Sequence, residues 1–145
     1  MDIGSILRSK GNQVVSVGPD DDAGTIARIL AQHRIGAALV RDAAGDVLGI
    51  VSERDIVRCL ASHGGDAVGL PAARMMTRLL HTVTPRTTLP EALALMTDRR
   101  VRHLPVIAED GSLAGLVSIG DLVKARIDEA LYEAEELRHY VESAG

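Results

Sequence analysis

Aromatic side chains are nearly missing from this chain: its 145 residues include two Tyr, no Phe and no Trp. A core must therefore be aliphatic, and no aromatic platform exists on which the bases of a single-stranded nucleic acid could stack. The formal charge of −4 removes the basic field that a nonspecific DNA binder needs. One cysteine, Cys59, leaves no partner for an internal disulfide, which points to a reducing compartment, the cytoplasm. No run approaches the roughly 20 apolar residues of a membrane span. The start, Met1-Asp2-Ile3-Gly4, lacks the basic residues and long apolar stretch of a secretory leader. Neither Gly-x-x-x-x-Gly-Lys-Ser/Thr nor Gly-x-Gly-x-x-Gly occurs, so the common phosphate-cradling loops are absent. His33, His63, His81, His103 and His139 show no Cys-x-x-Cys or His-x-x-x-His spacing, so no metal site is expected.

What the chain has instead is a repeat. Gly49-Ile50-Val51-Ser52-Glu53-Arg54-Asp55-Ile56-Val57 returns as Gly115-Leu116-Val117-Ser118-Ile119-Gly120-Asp121-Leu122-Val123, a shift of 66 from Asp55 to Asp121. The same shift, without a gap, carries Val17, Pro19, Arg34, Val40 and Gly45 onto Val83, Pro85, Arg100, Val106 and Gly111. Such self-similarity sets architecture before any single residue does, and it implies two similar half-sites about a pseudo-two-fold axis.

Residues 2–9 form a lead-in helix or turn. Gln13 to Val17 is β-branched and stops at Gly18-Pro19, a strand. Ile26, Ile29 and Leu30 give 23–32 a helical period, entered through Asp20 to Asp22. Strands at 36–40 and 47–51 flank the turn Asp42-Ala43-Ala44-Gly45, and a helix follows from Ser52 to about Ser62. The order recurs as a strand around His81 to Val83, a helix at 89–98, strands at 104–107 and 113–117, and a helix from Ser118. His63 to Pro71, with Gly64, Gly65 and Gly69, is the joint. The expected class is α/β (α+β), two β-α-β-β-α repeats packed as one module. The expected divisions are 1–66 with the lead-in helix, 67–127, and a helical extension over 128–145. In that extension Val123, Ile127, Ala130, Ala134, Leu137 and Val141 are spaced 4, 3, 4, 3, 4, a heptad seam. Two readings stand: a tail packed on its own domain, or a seam against a second copy of the chain.

Each copy reads strand, Gly-x-x-Ser-x-x-Asp, helix. A helix N-terminus is electropositive and rich in unpaired N–H groups. An aspartate there can accept both hydroxyls of a ribose diol, and a serine can donate to sugar or phosphate. Each charge-assisted bond is worth roughly 1.5–3 kcal/mol. Gly49 and Gly115 precede the motif where a side chain could obstruct a ligand, although a strand glycine has other uses. The competing role is a capping box, with Ser52 or Ser118 as the N-cap and Asp55 or Asp121 three residues on. Duplication copies caps as readily as sites, so the repeat alone leaves both open. Cations occupy matching places: Arg34 before the first hairpin, and Arg99, Arg100, Arg102 and His103 before the second. They serve either to neutralise phosphate or as helix-end charges that suit the dipole.

These segments resemble the cystathionine-β-synthase (CBS) domain family, whose repeats occur in tandem as a Bateman module. The residues that carry the resemblance are 49–58, Arg102-His103-Leu104-Pro105-Val106 and Met75-Met76-Thr77. It covers about 2 to 127, as in a bacterial stand-alone CBS pair. It implies an adenosyl ligand (AMP, ADP, ATP, NAD or S-adenosylmethionine) in clefts between repeats. Ribose would be held by Asp121 with Ser118, and by Asp55 with Ser52. For the first of these sites it implies an adenine pocket of Lys10, Val15, Ile35 and Gly36, with Arg102 and His103 on the phosphates. For the second it implies Thr77, His81, Val101 and Arg102. The positions matching Arg102 and His103 are Gly36 and Ala37, so the Asp55 site must borrow Arg102 or use Arg54 or Arg58. Unequal sites follow, unless one extended dinucleotide reaches along the cleft. Arg34 and Arg100 complete the phosphate candidates.

The expected function is a non-catalytic adenine-nucleotide sensor, a homodimer that an unidentified protein partner reads, with no nucleic-acid or membrane partner. The alternative is a structural CBS pair that dimerises without ligand. An enzyme would need more than Cys59 with His63 four residues on, because a Cys/His pair requires a third group and an oxyanion site. A small buried hydrophobe is the simpler role for Cys59.

Overall fold

Residues 37–52 close into the hairpin that their turn implies. Gly45 takes φ 89° at its tip, and Asp42 Oδ1 accepts from the backbone N–H of Ala44 and Asp46. The computed structural model describes residues 1–11, 13–78 and 81–144. Two compact units divide it: Val14–Leu80, and Met1–Gln13 with His81–Gly145.

In the first unit β1 (Ser16–Val17) runs parallel to β2 (Ala37–Arg41), which pairs antiparallel with β3 (Val47–Ser52). β4 (Thr77–Arg78) completes the sheet beside β3, in the order β1-β2-β3-β4. The numbering of helices starts in the second unit, with α1 (Ile3–Lys10). In the first unit α2 (Ala23–His33), capped by Asp22, and α3 (Glu53–His63), capped by Ser52, flank the sheet. A 3₁₀ turn over Gly64–Gly69 and the short α4 (Ala72–Met75) fill the expected joint. Val17, Ile26, Leu30, Ala38, Val40, Val51 and Ala72 form the core. Burying each larger aliphatic side chain contributes about 1.5–3 kcal/mol.

The second unit repeats the plan. α5 (Leu89–Arg99) carries a full Thr88/Glu91 capping box, and β5 (His103–Ile107) pairs antiparallel with β6 (Leu113–Ser118). The strand expected around His81 to Val83 is reduced to a parallel bridge from Val83 to Val106. That is the first unit's Val17–Val40 pair shifted by 66. α6 (Ile119–Ala144) is 26 residues long, about 39 Å at 1.5 Å per residue. From Leu131 to Ala144 every residue of α6 is exposed, so the tail does not pack back on its own unit.

The compact units do not follow the sequence repeats, because the lead-in helix packs with the second repeat rather than the first. Ile3, Ile6 and Leu7 of α1 are buried with Leu89, Met96, Leu104, Val106, Val117 and Leu122. The Ile3 and Gly4 N–H groups donate to the carbonyls of Thr87 and Pro85, at 2.9 and 2.8 Å. In the same way residues 72–78, at the start of the second repeat, complete the unit of the first. The glycines of the repeat make room for these segments. A Cβ on Gly49 would lie 2.6 Å from the Thr77 carbonyl oxygen, and one on Gly115 would lie 2.7 Å from Leu7 Cδ2. Their bareness therefore serves packing, where the sequence suggested ligand access.

Arg34 and Arg100, offered above as phosphate ligands, end α2 and α5 in the left-handed region, each with φ 54°. Both are exposed. A non-glycine residue loses about 1–2 kcal/mol in this conformation, and glycine returns roughly 0.5–1 of that as extra unfolded-state entropy.

Two stability predictions follow from these positions. Arg34→Gly and Arg100→Gly should each stabilise by about 0.5–1 kcal/mol in denaturant melts; a loss of stability would show that the arginine side chain holds the turn. Gly49→Ala should cost more than Gly115→Ala, within the roughly 1–3 kcal/mol of an overpacked core. The first meets backbone, whereas the second meets the flexible end of a leucine. Equal costs would contradict this packing.

Candidate functional site

The chain enters α3 and α6 directly from β3 and β6, so four backbone N–H groups at each entry need acceptors. In the first unit Ser52 and Asp55 supply them reciprocally. Asp55 Oδ2 accepts from Ser52 N at 2.8 Å and Ser52 Oγ at 3.0 Å, while Ser52 Oγ accepts from Asp55 N at 3.3 Å. In the second unit Asp121 Oδ2 accepts from Ser118 N at 2.8 Å, and Ser118 Oγ from Asp121 N at 3.2 Å. The capping role is therefore real in both copies.

Beyond the caps the copies differ. Asp55 is 7% exposed. Its second oxygen, Oδ1, accepts from the Thr77 hydroxyl at 3.2 Å and has Arg58 Nη1 at 3.9 Å. Thr77 is held there because β4 pairs with β3 at Ile50. Asp121 is more open, with 24% of its side chain exposed. Lys10, in the last turn of α1, donates to Asp121 Oδ2 at 2.5 Å and to the Leu116 carbonyl at 2.8 Å. The Lys10 ammonium and the Ser118 N–H both bond to the same oxygen of this carboxylate, Oδ2. Partial burial acts to raise the Asp121 pKa. The hydrogen bond from Lys10, the Ser118 N–H and the Lys10 charge outweigh burial, so the group titrates below its ordinary value of 3.8.

Around Asp121 the second unit gathers several of the expected residues. His103 is paired with Ser118 across the β5–β6 ladder, and the Arg102 carbonyl accepts from Ile119 N at 2.8 Å. Arg102 is exposed, whereas Val101, His103 and His81 are partly buried. An open concavity of about 570 Å³ is lined by Arg102, Ile119, Gly120, Val123, Lys124 and Ile127. It follows the outward side of α6 and does not include Asp121. Val15, Ile35 and Gly36, the expected adenine wall for Asp121, belong to the other unit. His81, Val101 and Arg102, expected for Asp55, belong to the unit of Asp121. Arg54 is exposed on the first turn of α3.

Sequence reading missed the Lys10–Asp121 ion pair, having placed Lys10 against adenine. The 111 positions between them leave no local signal, and only the pairing of α1 with the second repeat brings them together. The Cys59/His63 pair does not form through the thiol: His63 Nδ1 lies 3.3 Å from the Cys59 carbonyl, and Cys59 is buried. Among the described residues no group of three His, Cys, Asp or Glu could hold a metal ion. No helix among them is long and apolar enough to cross a membrane.

The ion pair has a signed pH consequence. A depressed carboxylate adds stability above its unfolded pKa, and that stability is lost as pH falls through the folded value. For Asp121 the loss is confined to pH below about 4. Lys10→Met should raise the Asp121 pKa in a carboxyl-carbon NMR titration and move the onset of acid unfolding to higher pH. An unmoved titration would mean that the Ser118 N–H alone sets the value.

Comparison with known proteins agrees with this architecture. The CBS domain model matches residues 3–62 and 72–128. A mitochondrial CBS domain-containing protein of Arabidopsis thaliana is 34% identical, over 97% of this chain and 71% of its own length. The crystal structure of a CBS-domain-containing protein from Agrobacterium tumefaciens is 42% identical. It superposes with a TM-score of 0.83 and covers 86% of this chain and 92% of its own. A CBS domain protein from Pyrobaculum aerophilum, solved in complex with AMP, is 28% identical with a TM-score of 0.74, covering 83% of this chain and 89% of its own. With the family model matched once in each half, on the same repeat that builds both capped carboxylates, the chain belongs to the CBS-domain family as a tandem pair.

Proposed function

We propose that this CBS pair is a non-catalytic regulatory module of the cytoplasm that binds an adenine nucleotide through Asp121. The ligand is AMP, ADP or ATP, or the adenosine half of NAD. The observation that carries the reading is the state of that carboxylate: ionised, a quarter exposed, and held by both Lys10 and the Ser118 N–H through the same oxygen. Oδ1 can then take a ribose hydroxyl while Oδ2 keeps its cap. Ser118 lies beside it for the second hydroxyl. Arg102 and His103, at the start of β5, are the groups for phosphate. AMP in the Pyrobaculum aerophilum relative supports the ligand class.

Asp55 is the weaker site in this reading. A ribose could reach it only by displacing the Thr77 hydroxyl from a nearly buried carboxylate, and a buried acceptor left unmatched costs about 1–3 kcal/mol. Arg34, Arg54 and Arg100 contribute surface charge. Regulation requires that the ligand favour one state of the module over another, and its effect is limited to that difference in affinity. A separate protein would read the state. The module works as a homodimer, which the outward apolar residues Val57 and Leu60 of α3 and Val123 and Ile127 of α6 support.

A second reading keeps the dimer and discards the ligand. It draws on the same two capping pairs, because each carboxylate already satisfies its own helix. Calorimetric titration of AMP, ADP, ATP and NAD separates the two. Asp121→Ala should weaken binding at least tenfold, about 1.4 kcal/mol. Asp121→Asn, which keeps a capping acceptor, should weaken it as well while sparing the fold. Asp55→Ala should lower the melting temperature more and the affinity less. Unchanged affinity in both Asp121 variants overturns the ribose assignment, and no binding by any of the four favours the ligand-free dimer.

A further inference from the structure

The last 14 residues of α6, Leu131 to Ala144, lie wholly exposed beyond the body of the second unit. A helix of that length is marginal in water without packing, yet this one carries bare Leu137 and Val141, 64% and 61% exposed. We infer that α6 pairs with α6 of a second copy as a parallel, in-register two-stranded coil over residues 123–144, the Glu133 of each chain facing the Arg138 of the other. This deepens the dimer part of the functional reading and is independent of the nucleotide.

Three observations carry it. Val123, Ile127, Ala130, Ala134, Leu137 and Val141 keep a strict heptad seam, the period that holds one stripe against a supercoiled partner. The seam continues without a break from the wall of the open concavity, where Val123 and Ile127 stand beside Arg102, to the end of the helix.

The charges beside the seam choose the partner and its direction. With Ile127, Ala134 and Val141 at a, Glu133 falls at g and Arg138 at e. In a parallel coil g of one chain meets e five residues on in the other, which joins Glu133 to Arg138 twice by symmetry. The remaining pairs of this kind, Ile119 with Lys124 and Arg126 with Leu131, bring no like charges together. An antiparallel coil would set e against e, a row of Lys124, Leu131 and Arg138 with no acid. Neither Glu133 nor Arg138 forms an ion pair within its own chain among the described residues, whereas Arg126 is engaged with Glu129. A surface that complements an identical copy of itself is the mark of a two-fold homodimer.

The full chain tests this through cysteines placed on the seam in a Cys59→Ala background. Ala130→Cys and Val141→Cys should each form disulfide-linked dimers under mild oxidation, since a parallel register puts every seam residue next to its own copy. An antiparallel pair can satisfy at most one of the two. Glu133→Arg or Arg138→Glu alone should slow cross-linking by about threefold or more, on the scale of two exposed ion pairs, and the double reversal should restore it. Cross-linking at one position only, no rescue by the double reversal, or a sedimentation-equilibrium dimer that survives removal of residues 128–145 with unchanged affinity would each overturn the coil. The last outcome would leave a dimer through the body, and the nucleotide reading, intact.

Discussion

A helix that begins the moment a strand ends must find acceptors for its first N–H groups within three residues, and the organisation of this chain turns on how that need is met. Ser52 with Asp55, and Ser118 with Asp121, answer it identically. Elsewhere Asp2, Asp22 and Thr88 with Glu91 do the same work for α1, α2 and α5. The carboxylates of Asp2, Asp22 and Glu91 are held ionised. The backbone N–H of Ser5 lowers Asp2, that of Thr25 lowers Asp22, and the Thr88 hydroxyl lowers Glu91. A charged oxygen pinned at a helix entry is what a sugar hydroxyl needs. In the proposed reading, the same geometry that ends a strand cleanly would supply a ligand group at no extra conformational cost, so that cap and site would be successive uses of one arrangement rather than rivals.

The third contact on each carboxylate separates the copies. Thr77 meets Asp55 with a neutral hydroxyl delivered by a strand pairing, next to a nearly buried oxygen. Lys10 meets Asp121 with an ammonium on a flexible stem at the end of a helix. A hydroxyl fixed by a sheet is hard to move, whereas a partly exposed lysine can leave, and it remains a cation wherever it goes. In the proposed reading, Asp55 is therefore a structural tie and Asp121 the carboxylate that can exchange its partner.

What was legible in the sequence was what is local or copied. The shift of 66 carried the bridge Val17–Val40 onto Val83–Val106 and placed both hairpins and both capped helices within a residue or two. The strand around His81 to Val83 shrank to that single bridge, because periodicity reports which residues suit a strand and not how long the neighbouring strand lies beside them. The placement of α1 was not legible: Ile3, Ile6 and Leu7 make an apolar face that would suit either repeat, and both repeats offer a bare glycine, Gly49 and Gly115, to receive it. The role of the two glycines was left open for the same reason, since a glycine shows that something comes close but not what. β4 escaped notice because two residues have no period. Of the candidate site, the aspartates were legible as cap or ligand. Their inequality was expected from Gly36 and Ala37 standing where Arg102 and His103 stand in the other half, but the contacts of Thr77 and Lys10, which lie 22 and 111 positions away, were not legible.

The long helix carries the argument one step further. Its first two turns belong to the unit: Leu122 and Ala125 are buried, and Asp121 is tied through Lys10 to α1. Its last 14 residues, Leu131 to Ala144, are all exposed. A rigid helix that starts at the exchangeable carboxylate and ends in an exposed heptad seam connects the two mechanically. Any tilt of its first turn is enlarged along about 39 Å of its length. If the Lys10 contact is replaced by a sugar, the lever acted upon is the element that offers a surface to a second chain. The coupling between them is bounded by how differently the ligand binds the two positions of that lever.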